Sequence, residues 1–152
     1  MNYQEYTSEL LENLGAKPCH KGCEYIISGI CLIHNMNKYD IPDSEMIYTP
    51  IATKYRLAPV AIENSMRNVI QYIWKSKTNL ELMREIFGEY NLIKRPCNIE
   101  FLMLLYNYMK YHMSSENITK EWKANWQTLK ALIQYGSVTE KFRNTLLIWH
   151  SR

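Results

Sequence analysis

Apolar residues return every three or four positions through most of the chain, the spacing that puts them on one face of a helix. Tyr3, Tyr6, Leu10, Leu11 and Leu14 form a first such stripe, predicting a helix over 3–14 with Gly15 as its stop. A loop, Ala16 to Gly22, leads to a second helix at about 23–36, and a short third is predicted at about 46–55. Pro59 suits the first turn of a fourth helix reaching Lys75. Thr78-Asn-Leu-Glu81 reads as a capping box opening a fifth helix that stops at Gly88. Asn98 is the predicted cap of a sixth, which carries Phe101, Leu104, Leu105 and Tyr108. Two more are predicted at 119–135, stopped by Gly136, and 138–149, opened by the capping box Ser137 to Glu140. Strand-like alternation is nowhere sustained, and Tyr90 to Ile93 is at most a short extended piece. The predicted class is all-α: a multi-helix domain over 1–112 and a C-terminal helical hairpin over 113–152.

One stretch, Ile51 to Arg67, has the layout of a helix-turn-helix, which needs two helices crossing steeply over a turn of three or four residues. Ile51, Ala52 and Tyr55 would line the inner face of the first helix, with Ala52 small because the second crosses close by. Leu57 would anchor the turn, and Ile62, Met66 and Ile70 would form the inner stripe of the second helix. That leaves Ala58, Ala61, Glu63, Asn64, Arg67, Asn68 and Gln71 facing outward. In a helix-turn-helix the second helix enters the major groove, where amide and charged side chains pair with base edges. One local rule is broken. The turn position that favours Gly or Asn, because they tolerate positive φ, holds Arg56.

Charge sharpens this picture. The net charge of +3 conceals an acidic N-terminal third and a basic remainder, with the basic excess greatest over 49–80. Lys54, Arg56, Lys75, Lys77, Lys94 and Arg95 are therefore candidate phosphate contacts. The hydrophobic fraction of 47% and charged fraction of 22% are those of a globular domain. Five Gly and five Pro are too few for a turn-rich β sandwich or barrel. No apolar run approaches the length of about 18 residues needed to span a bilayer, and the N-terminus has no secretion-signal pattern, so no membrane partner is expected.

The chemistry of sites adds little. Cys19, Cys23, Cys31 and His34 lack the two close pairs of a zinc knuckle, and Cys23 and Cys31 are read as small core residues. Their sparse spacing suggests a reducing compartment, hence the cytoplasm. The four histidines fall in no nucleophile-elbow, zinc-protease or Walker pattern, so neither catalysis, a metal nor another cofactor is expected. A sensor built on Cys19, His20 and Cys23 remains as a third reading.

Residues from about 10 to 110 resemble the C-terminal effector domain of the stage-zero sporulation response regulator A of endospore-forming bacteria. The similarity runs through Leu14-Gly-Ala-Lys-Pro-Cys-His-Lys-Gly22 and Met46-Ile-Tyr-Thr-Pro-Ile-Ala-Thr-Lys-Tyr55. It continues in Glu63, Arg67, Trp74, Ile86-Phe-Gly88 and Arg95-Pro-Cys-Asn-Ile-Glu-Phe101. The resemblance implies a six-helix domain that binds double-stranded DNA, can do so as a tandem dimer, and contacts RNA polymerase sigma factors.

Two departures qualify it. The family precedes this domain with a phosphorylatable receiver, whereas Gly22 falls so early here that neither a receiver nor phosphorylation control is expected. The family's recognition helix also offers two arginines flanking the position of Glu63, and this chain has Ala61 and Asn64 there, with Asn68 where the family tends to have His. Each good bidentate base contact is worth about 1–3 kcal/mol of discrimination. Two functions therefore stand open: a sequence-specific DNA-binding transcription regulator reading a different site, or a degenerate module that binds protein partners, as in mixed dimers with a full-length relative. The stripes Trp122, Trp126, Leu129, Leu132 and Ile133, and Val138, Phe142, Leu146 and Trp149, either pack back on the domain or form a homodimer surface.

Overall fold

The computed structural model describes residues 2–113, which form six helices with no strand among them. In order these are α1 (Tyr3–Asn13), α2 (Lys21–Asn35), α3 (Ser44–Tyr55), α4 (Pro59–Ser76) and α5 (Leu80–Ile93), followed by α6 at 98–113. The chain divides into two units, Met1–Tyr111 and His112–Arg152. The helices predicted at 119–135 and 138–149, and the hairpin they would make, lie outside the described residues.

Local chemistry sets most of the boundaries. Asn2 caps α1 by accepting from the Glu5 amide, and Asp43 caps α3 by accepting from the Met46 amide, so α3 starts two residues earlier than its apolar pattern suggests. The α1 stop is a Schellman motif: Gly15, at φ +95°, donates to the Glu12 carbonyl while Ala16 donates to Leu11. The α5 capping box is displaced by one residue, because Asn79 rather than Thr78 accepts from the Leu82 amide. Gly88 does leave helical geometry, at φ 79° and ψ 164°, but α5 resumes beyond it. Residues 90–93 are consequently helical, not extended.

Asn98 does not cap α6. Its backbone is already helical, the Phe101 amide bonds to the Cys97 carbonyl, and the Glu100 carboxylate accepts from the Cys97 amide at 3.4 Å. The Asn98 side chain is buried and instead donates to the backbone carbonyl of Glu63 at 2.9 Å.

The core collects one face from every helix. Leu11, Leu14, Ile26, Ile30, Ile47, Ile51, Ile62, Met66, Ile70, Ile73, Met83 and Phe101 are all almost wholly removed from water. At about 1.5–3 kcal/mol for each large apolar side chain buried, this cluster is the main favourable contribution to folding. Trp74 packs its ring against Phe87 at 4.8 Å between centroids, Phe87 stacks on Phe101 at 5.1 Å, and the indole Nε1 donates to the Asn91 carbonyl. Cys23 and Cys31 are half-buried at the margin of the core, not inside it. Their helix is lined inwardly by Ile26 and Ile30, which leaves positions 23 and 31 on its shoulder.

α2 is the hub, packed against α1, α3 and α4, while α4 packs against α2 and α3. The close approach of α2 depends on Gly22. A Cβ there would fall well inside van der Waals contact of the Ser65 carbonyl oxygen and 2.6 Å from Val69 Cγ2.

Candidate nucleic-acid interface

α3, the turn after it and α4 form a helix-turn-helix. Ile51 and Ala52 are buried on α3, Tyr55 is half-buried, and Ile62, Met66 and Ile70 are fully buried on α4. The turn is a Schellman motif in which Arg56 donates to the Thr53 carbonyl and Leu57 to Ala52. Arg56 adopts the left-handed conformation, φ 57° and ψ 46°, that the sequence rule reserves for Gly or Asn. The ordinary turn geometry is thus kept at a residue that it strains. Leu57 is 45% exposed and does not anchor the turn. Its amide is bound in the motif while its side chain points away from the core.

The predicted outward row on α4 divides into three groups. Asn64, Asn68 and Gln71 are exposed, as is Lys75 further along, and these project opposite the buried stripe. Ala58 is exposed at the N-cap, next to Val60, 58% exposed, so the tip of the helix is apolar. Ala61, Glu63 and Arg67 are partly exposed flank residues, the Glu63 and Arg67 side chains keeping 37% and 42% of their surface. The start of α6 packs along the Glu63 and Arg67 side of α4 and places both in the wall of a cleft of about 400 Å³. Ser44, Tyr48 and the run from Lys94 to Glu100 complete its lining.

Within this cleft Arg67 is held on two sides. One guanidinium nitrogen donates to Glu63 Oε1 at 2.6 Å and the other to Asn64 Oδ1 at 2.9 Å. Exposed i,i+4 ion pairs contribute about 0.3–0.5 kcal/mol, so the consequence is orientation more than stability. With its carbonyl oxygen turned to Arg67, Asn64 presents its amide donor to the surroundings. Tyr48 lies behind the pair, and burial raises its phenol above the ordinary range. The Asn98 hydrogen bond lowers it, whereas the Glu63 carboxylate and Cys97 raise it further and Arg67 opposes them. The phenol therefore stays neutral.

The remaining candidate residues are all exposed: Lys54 and Arg56 at the end of α3, Lys75 and Lys77 at the end of α4, and Lys94 and Arg95 before α6. Lys54 rests its ammonium 5.3 Å from the Tyr55 ring centroid. Lys94 and Arg95 share the cleft of Arg67. Among the described residues no cluster of three His, Cys, Asp or Glu side chains is placed to hold a metal ion, and no helix is long and apolar enough to cross a membrane. Val60 belongs with the exposed tip as well, and its mark in the sequence is an apolar residue lying off the buried stripe of Ile62, Met66, Ile70 and Ile73.

Residues 7–109, well over half of the chain, match the family described as sporulation initiation factor Spo0A C terminal. No solved structure matches the chain.

Proposed function

The chain belongs to the family of Spo0A C-terminal domains, a DNA-binding effector-domain family of sporulation regulators, and on that premise we propose that it is a sequence-specific transcription regulator that reads double-stranded DNA with α4. The observation that carries this reading is the exposed row Asn64, Asn68, Gln71 and Lys75 on a helix whose opposite face is fully buried. A helix about 10–12 Å across fits a major groove about 12 Å wide, with its outward side chains on the bases. Asn64, presenting a donor, matches the acceptor edge of guanine or the O4 of thymine, and Val60 and Ala58 at the tip match a thymine methyl. Lys54, Arg56, Lys75, Lys77, Lys94 and Arg95 would position the duplex through phosphates. On this reading the protein works in the cytoplasm, and a sigma factor and a second copy of the chain are its protein partners.

Selection of bound sequences from random duplex DNA, repeated with Asn64→Ala, Asn68→Ala and Arg67→Ala, tests the proposal. One enriched motif that changes or vanishes at defined positions in the variants supports it. No enrichment with the folded wild type, together with capture of a full-length relative, would replace it by the protein-binding reading that Ala61 and the apolar tip motivate.

A further inference from the structure

The flank of α4 opposite Glu63 and Arg67 carries Ser65, Asn68 and Tyr72, and these meet His20, Lys21 and Gly22 across a cleft of about 220 Å³. Four features of this cleft ask for an anion. Lys17 and Lys21 are both exposed beside it, with the Lys17 ammonium 5.6 Å from the Tyr72 ring centroid. The first turn of α2 has no side-chain cap, so its leading amides keep the partial positive charge of a helix start. Lysine at that end is the wrong sign for the helix itself, which a bound anion would reverse. The His20 ring packs edge-on against Tyr72 at 5.3 Å, and its buried Nδ1 has no hydrogen-bond partner. Glu24, the acidic residue of the same turn, lines a different cleft with Gln4, Ser28 and Lys54.

We propose that this cleft, with Lys17, His20, Lys21 and Tyr72 as its anion-facing wall, binds a backbone phosphate of the duplex on the side of α4 opposite Lys94 and Arg95. The inference rests on the DNA-reading role of α4. A helix seated in the major groove has a sugar–phosphate strand along each flank, and the molecule offers a basic cluster on each. Gly22 permits this arrangement, since only its missing side chain lets the start of α2 sit against the α4 backbone.

The test measures binding of the full chain to labelled duplexes of several sequences across a series of KCl concentrations. Lys17→Gln with Lys21→Gln should reduce the magnitude of the log–log salt slope by about one, the share of a single phosphate, with a similar loss of affinity on every sequence. Lys38→Gln with Lys110→Gln removes the same net charge elsewhere and should leave the slope nearly unchanged. Equal effects from the two pairs, or none from either, would overturn the cleft while leaving the α4 reading intact. Failure of the folded wild type to bind any duplex would remove both. Lys17→Glu, also at an exposed position, gives a second variant, and its slope change should exceed that of Lys17→Gln.

Discussion

The side-chain amide of Asn98 donates to the backbone carbonyl of Glu63 at 2.9 Å, so the first turn of α6 is tied to the first turns of the helix proposed to read DNA. A segment 35 residues distant in sequence thereby fixes the flank from which Arg67 projects. Removing that donor leaves space in a buried site and frees the 94–98 strand of chain that bears Lys94 and Arg95. Asn98→Ala should cost about 1–2 kcal/mol, read as a lower urea midpoint with an unchanged m-value. Asn98→Asp should cost more, because its carboxylate would face the Glu63 carbonyl oxygen and lie near the Glu63 carboxylate.

Gly22→Ala places a methyl group against the Ser65 carbonyl. Backbone cannot yield there as a flexible side chain would, so about 3 kcal/mol of destabilisation is expected. Thermal unfolding followed by circular dichroism measures it. Gly88→Ala is a useful contrast, since open space surrounds that position and only its positive φ is strained.

Arg56→Gly separates stability from binding. The left-handed conformation costs a non-glycine residue about 1–2 kcal/mol, offset in part by the extra freedom glycine has when unfolded. The variant should therefore be more stable by about 0.5–1 kcal/mol. If Arg56 contacts phosphate, the same variant should lose about one unit of salt slope. A more stable protein with weaker, less salt-sensitive DNA binding is the expected pair of results.

Arg67→Ala should change which base is read more than how well the fold holds. It removes both bonds that orient Glu63 and Asn64 and leaves Glu63 beside the cleft without its cation. The expected outcome is a stability loss within about 0.5 kcal/mol and a relaxed preference at the base facing Asn64. Unchanged preference in a selection experiment would show that Asn64 is not oriented by this pair.

Cys23 should be the slower of the two neighbouring thiols to react. Burial raises its thiol above the usual range, with Cys19 and Glu24 adding in the same direction. Alkylation needs the thiolate, so at neutral pH Cys23 is less reactive than exposed Cys19 and its rate rises only at higher pH. Because the folded state holds this proton more tightly than the unfolded one, the associated stability is intact below the ordinary thiol range. It is lost as pH climbs through the raised value. Peptide mapping after timed alkylation across a pH series distinguishes the two residues, which a tryptic cut at Lys21 separates.

Among the described residues the six helices, most of their ends and the buried stripe of α4 were legible in the sequence, because each depends on interactions between residues three or four apart. Gly15 and Pro59 are read by their own chemistry wherever the chain goes next. Even the awkward turn at Arg56 was visible as a broken rule. The tertiary structure alone decided which way the flanks of α4 look. Periodicity finds the inward face of a helix but cannot say what packs along its shoulders. Glu63 and Arg67 were read as outward, and the arrival of Asn98 from α6 turned them into a cleft wall. The same reason hid the basic cleft, since Lys17, Lys21 and Tyr72 belong to elements that only the packing of α2 on α4 brings together. Local spacing specifies elements; long-range contact, which has no signature in a single window of sequence, specifies the surface they share.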